Sequence, residues 1–410
     1  MSQSPTLQSP LALKRGPQLK NRLAKSAMSE QLGNRDHNPT PELFRLYRRW
    51  AEGGLGLSVT GNVMIDRNAL GEPKNVVLDA YSDLGAFRQW ARAGQVNDCQ
   101  LWMQINHPGK QIPRFLNARP VAPSAIPLGR GLEKVFACPR ALEEAEIQDI
   151  IGRFAYAAAR AKDCGFAGVQ IHGAHGYLVS QFLSPRHNQR TDHWGGSAEN
   201  RRRFVMAVYQ AIRDLVGDDF PVGIKLNSAD FMKDGFTEEE SMDVVRALTD
   251  AGIDLIEISG GTYESPAMTG HKVKESTRQR EAYFLDYADA VRRHSNVPLM
   301  VTGGFRSAAA MQQALDSGAT DLIGIARPTA VDPDVPLQLL NDPTARFDLK
   351  PPSTGIKALD KTAMLAITHY EAHLARLGDG KAPKPDLSPW HSMVNTVTAM
   401  GTQAFKPRRA

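Results

Sequence analysis

Residues 222–260 read VGIKLNSADFMKDGFTEEESMDVVRALTDAGIDLIEISG. The stretch opens on Val222–Asn227, a short run of apolar and β-branched residues, the composition of a strand buried on both faces. Thr237-Glu238-Glu239-Glu240 has the pattern of a capping box, in which a threonine and a glutamate satisfy each other's first-turn amides, so a helix starts there. Ala251-Gly252 supplies its stop. Leu255–Gly260 is then a second strand of the same kind.

The same order extends in both directions. Further strands are predicted at Leu19–Met28, Leu55–Ile65, Gln100–Asn106, Gly168–Gly173, Leu299–Gly304 and Asp321–Ala326. Helical patterns follow at Pro41–Gly54, Leu84–Asp98, Glu144–Gly165, Glu199–Gly217, Ala282–Ser295, Ser307–Gly318 and Pro333–Leu340. Strands regularly followed by helices predict an α/β chain folded as a (β/α)₈ TIM barrel over residues 1–345. An open doubly wound sheet would carry a G-x-G-x-x-G turn after its first strand, and none is present. Two stretches lie outside the bare barrel. Residues 110–143 form a long, proline-bearing loop that leaves the catalytic side and is expected over the barrel mouth. Residues 346–410 form a tail with a helical pattern at Lys361–Leu377, read as a peripheral extension packing on the barrel or on a partner subunit.

Composition narrows the function classes. Of 410 residues, 42% are hydrophobic and 23% charged, which fits a globular chain and excludes a disordered one. No apolar run is long enough for a membrane span. The charge sum, 49 − 44 = +5, comes with no long basic block, so no nucleic-acid partner is expected. A small anionic molecule suits it as well. Cys99, Cys138 and Cys164 are far apart and odd in number, which speaks against a disulfide framework, a zinc ribbon or an iron–sulfur cluster. The first residues are Ser/Gln/Pro-rich without an apolar segment, so no signal peptide is read and a cytoplasmic location is expected. Homo-oligomerisation is left open.

Barrels place their chemistry where strands end. His172-Gly-Ala-His175-Gly-Tyr177 brings two imidazoles and a phenol to one strand end. Imidazoles donate hydrogen bonds to a substrate oxygen, and a phenol donates a proton. Satisfied core histidines and a metal half-site are the competing readings; the spacing and the lack of a third ligand nearby weaken the metal, and none is expected. Lys225 sits in an apolar strand and needs an anionic partner, either a ligand or a carboxylate, Glu257 or Asp254. Gly303-Gly304, with Ser307 opening a helix and Arg327 after the last strand, has the form of a phosphate site. Taken by themselves, these residues leave flavin, pyridoxal phosphate and sugar phosphates open.

Residues 172–204, HGAHGYLVSQFLSPRHNQRTDHWGGSAENRRRF, closely resemble the signature of the Old Yellow Enzyme family of FMN-dependent ene-reductases. The resemblance runs over roughly residues 10–340, through 19–23 (LKNRL), 50–54 (WAEGG), 104–110 (QINHPGK), 301–304 (VTGG) and 322–327 (LIGIAR). It implies FMN across the barrel mouth, contacted by Ser26, Ala27, Met28, Ser29, Gly61, Gln104, Lys225, Gly303, Gly304, Ala326 and Arg327. Gln104 resembles the glutamine at the flavin pyrimidine edge. Lys225 takes the place of an arginine near flavin N1 and O2. His172 and His175 resemble the pair that grips the substrate carbonyl, and Tyr177 the proton donor. The implied activity takes hydride from NADH or NADPH through FMN and reduces C=C bonds of α,β-unsaturated carbonyl compounds, a small-molecule substrate class. A flavin oxidase or demethylase, or a non-catalytic flavin-binding homologue, are the alternatives.

The chain departs from the family at several points. Ala27 replaces a proline, Ser29 a threonine or cysteine near flavin O4, and Thr60-Gly61 a Glu-Ala pair. No cysteine follows Cys164, which disfavours dienoyl-CoA reductases built with an iron–sulfur cluster.

Overall fold

The computed structural model describes residues 4–265, 281–349, 351–356, 363–390, 392 and 394. Its strands are β1 (Leu23–Lys25), β2 (Leu57–Val59), β3 (Val63–Met64), β4 (Gln100–Asn106), β5 (Val121–Ala122), β6 (Arg140–Ala141), β7 (Gly168–Gly173), β8 (Val222–Asn227), β9 (Leu255–Ser259), β10 (Leu299–Thr302) and β11 (Leu322–Ile325). All but β3, β5 and β6 form a parallel barrel, in which β1 pairs with both β2 and β11, and β2 closes the ring onto β4. The predicted (β/α)₈ barrel is therefore the observed fold. Around it run α1 (Pro41–Glu52), α2 (Leu84–Gly94), α3 (Glu144–Asp163), α4 (Leu178–Leu183), α5 (Ala198–Val216), α6 (Glu238–Ala251), α7 (Leu285–Arg292), α8 (Ala308–Asp316), α9 (Arg327–Val331), α10 (Val335–Asn341) and α11 (Ala363–Gly378).

Strand parity sorts the side chains into two sets. Val169, Ile171, Val222, Ile224, Leu226, Ile256 and Ile258 point outward into the core shared with the helices. The inward set begins with an apolar layer of Ala24, Leu57, Trp102, Leu255, Met300 and Leu322, closed off by Leu11 and Leu19, which pair as an antiparallel bridge at the bottom of the barrel. Trp102 fits there because two neighbours are glycines. A Cβ on Gly168 would lie 2.6 Å from the indole, and one on Gly223 3.0 Å from it. Two residues further along the strands, the inward side chains become polar: Gln104, Gln170, Lys225, Glu257 and Thr302, joined by Ser26 just past β1. This polar layer is the floor of the barrel mouth.

Some boundaries differ from expectation. The predicted strand Leu55–Ile65 is split into β2 and β3, because Gly61 N turns away to donate to Glu30 Oε1 and Tyr47 Oη, both at 2.9 Å. The first strand shrinks to Leu23–Lys25, since Leu19 is used in the bottom bridge. The capping box at Thr237 is present as read, with Glu240 N donating to Thr237 Oγ1 and Glu240 reaching back to Thr237 N. The loop of residues 110–143 carries the two-stranded β5–β6 pairing. The tail helix pattern is seen as α11, packed on α1 and α9. Its expected start at Lys361 and the chain beyond residue 394 lie outside the described residues.

Candidate active site

The floor is one hydrogen-bonded network. Lys225 and Glu257 stand opposite each other in the β8–β9 register, and Gln104 and Gln170 in the β4–β7 register. Lys225 Nζ donates to Glu257 Oε1 and to Ser26 Oγ, both at 2.8 Å. Glu257 is fully buried, and Lys225 beside it helps hold its carboxyl below the usual range against the opposing pull of burial. Of the two carboxylates proposed for Lys225, Glu257 is the partner. Asp254, at the bottom of β9, pairs with Arg15 and Arg213 instead. Lys225→Met would strand a buried carboxylate, and removing one partner of such a pair costs about 3 kcal/mol or more. Urea unfolding of the variant should show that loss; an unchanged midpoint would mean that water reaches Glu257.

Above the floor stand the two imidazoles and the phenol. The His172 ring lies 4.7 Å from that of Tyr177 and 5.2 Å from that of His175, both edge-on. His172 Nδ1 accepts from Ala174 N at 3.3 Å. A neutral ring that accepts at Nδ1 carries its proton at Nε2, which is left as a donor. Burial, with His175 and Lys225 nearby, holds His172 well below its ordinary pKa, so the ring is neutral. His175 occupies the left-handed region at φ 61°. Its Nε2 meets Ser259 Oγ at 2.8 Å, and a serine that donates there leaves Nδ1–H as the free donor. Burial and Lys225 lower the His175 pKa to about 3. Tyr177 Oη is 2.9 Å from Tyr263 Oη. Burial, Tyr263 and Glu72 all raise the Tyr177 pKa, which keeps it a phenol.

At the far side of the mouth, Gly303 and Gly304 adopt φ 110° and 95° in succession. A Cβ on Gly304 would come within 2.7 Å of Ala282 N. The amides of these two glycines donate to no acceptor among the described residues. Ser307 caps α8 beside them, and Arg327 opens α9 near Tyr370 of α11, where its charge works against the upward push of burial on that phenol. Two open amides and a guanidinium suit a phosphate; the start of α8 at Ser307, read from the sequence as part of the same site, is instead held by Glu281, which accepts from Arg306 N at 2.6 Å and Ser307 N at 3.2 Å. Ser26, Ala27, Met28 and Ser29 line the chain just past β1, where Ser29 Oγ donates to Glu72. Gly61 fits under this turn because a Cβ would lie 2.4 Å from Met28 O. Ala326 is the residue before α9, next to Arg327. A phosphate cradle at one edge and a polar floor with Gln104 and Lys225 at the other fit a flavin mononucleotide. Among the described residues no three His, Cys, Asp or Glu side chains are grouped to hold a metal.

A family model described as the NADH:flavin oxidoreductase / NADH oxidase family matches residues 6–342. The chain belongs to this family, that of Old Yellow Enzyme. The NADH-dependent flavin oxidoreductase iliE of Hypocrea jecorina is 38% identical over 89% of this chain and 96% of its own length. Its namesake from Neonectria sp. is 40% identical over 82% of this chain, which spans about half (47%) of that protein. The solved structure of the old yellow enzyme homologue from Zymomonas mobilis aligns with a TM-score of 0.69 at 25% identity, over 83% of this chain and 94% of that one. No helix among the described residues is long and apolar enough to cross a membrane.

In this Old Yellow Enzyme barrel, most of the signature after Tyr177 holds structure together. Asn188 Nδ2 donates to Phe182 O and Trp194 O, and Arg190 Nη1 to Pro123 O and Leu142 O. Lys110 Nζ donates to Ile126 O at 2.8 Å and lies 2.8 Å from His187 Nδ1, whose Nε2 faces Glu264 at 3.3 Å. These bonds tie the 110–143 loop to the mouth, where Phe136 lies 6.2 Å from the Tyr263 ring. Tyr263, Ser259, Gln170 and Glu72 were not singled out in the sequence. Strand parity would have pointed to Ser259 and Gln170, which share the inward face with Glu257 and His172. Tyr263 and Glu72 lie on loops, where no periodicity marks them.

The neutral histidines have a consequence for acid stability. An unfolded imidazole titrates near 6.5, while these two resist protonation in the fold. Between pH 6 and 5 the unfolded chain therefore binds protons that the folded chain refuses, and stability falls as pH falls. Replacing both histidines with glutamine should remove about 1.8 protons from that slope, about 2.4 kcal/mol per pH unit. Urea midpoints of wild type and variant at pH 6 and pH 5 check it; equal slopes would mean the rings protonate freely.

Proposed function

We propose that the barrel binds FMN across its mouth and, with hydride from NADH or NADPH, reduces the activated C=C bond of α,β-unsaturated carbonyl compounds. The convergence of the His172 Nε2 donor and the Tyr177 phenol above the polar floor supports this most. Bound FMN would supply the hydride. His172 and His175 hold the substrate carbonyl oxygen and stabilise the charge that gathers there as hydride reaches the β-carbon. Tyr177 then delivers a proton to the α-carbon. Tyr263 orients the Tyr177 hydroxyl, and Phe136 helps exclude water from the mouth. Gln104 and Lys225 face the pyrimidine edge, Ser26, Ala27, Met28, Ser29 and Gly61 the adjoining rim, and Gly303, Gly304, Ala326 and Arg327 the phosphate. On this reading residues 1–345 form the FMN-binding barrel, residues 346–410 are a peripheral extension, and the protein works in the cytoplasm.

The test begins with reconstitution. Purified protein given FMN should turn yellow and keep the colour through gel filtration; colourless protein that takes up no FMN refutes the reading. Stopped-flow reoxidation of the reduced protein by a panel of enones, maleimides and nitroalkenes then defines the acceptor. Steady peroxide release from an amine, without enone turnover, would instead identify an oxidase.

A further inference from the structure

The polar floor contains a carboxylate that the proposed reaction does not use. Glu257 Oε1 accepts from Ser26 Oγ at 2.5 Å, Lys225 Nζ at 2.8 Å and Thr302 Oγ1 at 2.7 Å. Its Oε2 accepts from Gln170 Nε2 at 2.8 Å. An ionised carboxylate can only accept, so each neighbour must turn a donor toward it. Gln170 spends its NH₂ in this way and is left with Oε1, which accepts from Gln104 Nε2 at 2.8 Å. Gln104 in turn is left with Oε1, which takes no hydrogen bond from the described residues. A side-chain amide has nearly the same shape either way round, and its polarity follows from its hydrogen-bond partners. Here both polarities follow from one buried anion, itself held in place by β9.

We infer that Glu257 is a positioning residue: through Gln170 it fixes Gln104 as an acceptor for an imide N–H of the cofactor, and it offsets the Lys225 charge beside the same edge. The inference rests on the FMN reading above, because the flavin pyrimidine ring carries one imide N–H, at N3, between two carbonyls. Its chemical content is separate. A floor without Glu257 leaves the two amides free to reverse and to present an NH₂ to that N–H, donor against donor. It also leaves Lys225 as a bare cation, which favours the anionic reduced cofactor.

The protein is loaded with ¹⁵N-labelled FMN, and two quantities are measured on wild type, Glu257→Gln and Gln170→Met. These are the solvent exchange rate of the N3 proton by NMR and the affinity ratio of reduced to oxidised FMN from the midpoint potential. Failure of wild type to bind FMN would sink the cofactor reading itself. Gln170→Met keeps the Lys225–Glu257 pair, so it should speed N3–H exchange about tenfold, the scale of one lost hydrogen bond, at an unchanged potential. Glu257→Gln should also speed the exchange, and should favour reduced over oxidised FMN by about tenfold, near 30 mV for a two-electron couple. Wild-type exchange in Gln170→Met would overturn the relay. A wild-type potential in Glu257→Gln would overturn the charge offset. Should Glu257→Gln not fold, Glu257→Asp keeps the charge on a shorter arm; it should preserve the potential and speed the exchange, and wild-type exchange in it would count against the relay.

Discussion

Tyr177→Phe is expected to leave reduction of the bound flavin by nicotinamide unchanged and to slow its reoxidation by enones about 10²–10⁴-fold, the range of a positioned general acid. The asymmetry is the informative part. No protein proton is needed when hydride arrives from the nicotinamide, whereas the α-carbon must be protonated once hydride has reached the β-carbon. The phenol can serve because burial, Tyr263 and Glu72 all hold its pKa up, so it enters the reaction protonated. Tyr263 Oη at 2.9 Å gives it a partner after the proton has left. Nitroalkenes should suffer less, since the nitro group stabilises the carbanion and protonation can follow as a separate step. The fold should survive the loss of one hydroxyl at a strand end. Rapid-mixing absorbance at the flavin bands separates the two half-reactions; equal slowing of both would mean that Tyr177 shapes the mouth and donates nothing.

Replacing His172 and His175 together with alanine is expected to weaken phenol binding and to reduce enone turnover about 10²–10³-fold, the typical worth of a donor aimed at a developing oxyanion. The two rings are not equivalent. His172 has its tautomer set by a backbone amide, Ala174 N, and its free Nε2–H follows from that contact. His175 depends on Ser259, a side chain at the end of β9, two strands along. The single variant His172→Ala should therefore account for more of the loss, and Ser259→Ala should mimic part of His175→Ala. Phenol binding read from the charge-transfer band, alongside enone turnover, checks both. Wild-type phenol affinity in the double variant would remove the carbonyl-gripping role.

Much of this was written in the chain itself. Short apolar and β-branched runs at Val222–Asn227 and Leu255–Gly260, the capping box at Thr237 and the repeat of that unit specify the barrel, because each depends on residues only a few positions apart. The trio His172, His175 and Tyr177 is local in the same sense: six residues leaving one strand end must share one space. Register and loop packing were decided elsewhere. Sequence offered Lys225 two carboxylates on the next strand, Asp254 and Glu257, and parity, which favours Glu257, does not set the height at which either stands. The shear of the barrel does, by setting Glu257 opposite Lys225 and leaving Asp254 a layer below, against Arg15 and Arg213. Tyr263 reaches Tyr177, and Tyr370 reaches Arg327, only after loops and a distant helix have folded onto the mouth. Short-range patterns fix which side chains face inward. Which inward-facing charge meets which is a property of the closed barrel, where pairing follows strand stagger and burial makes an unpaired partner costly.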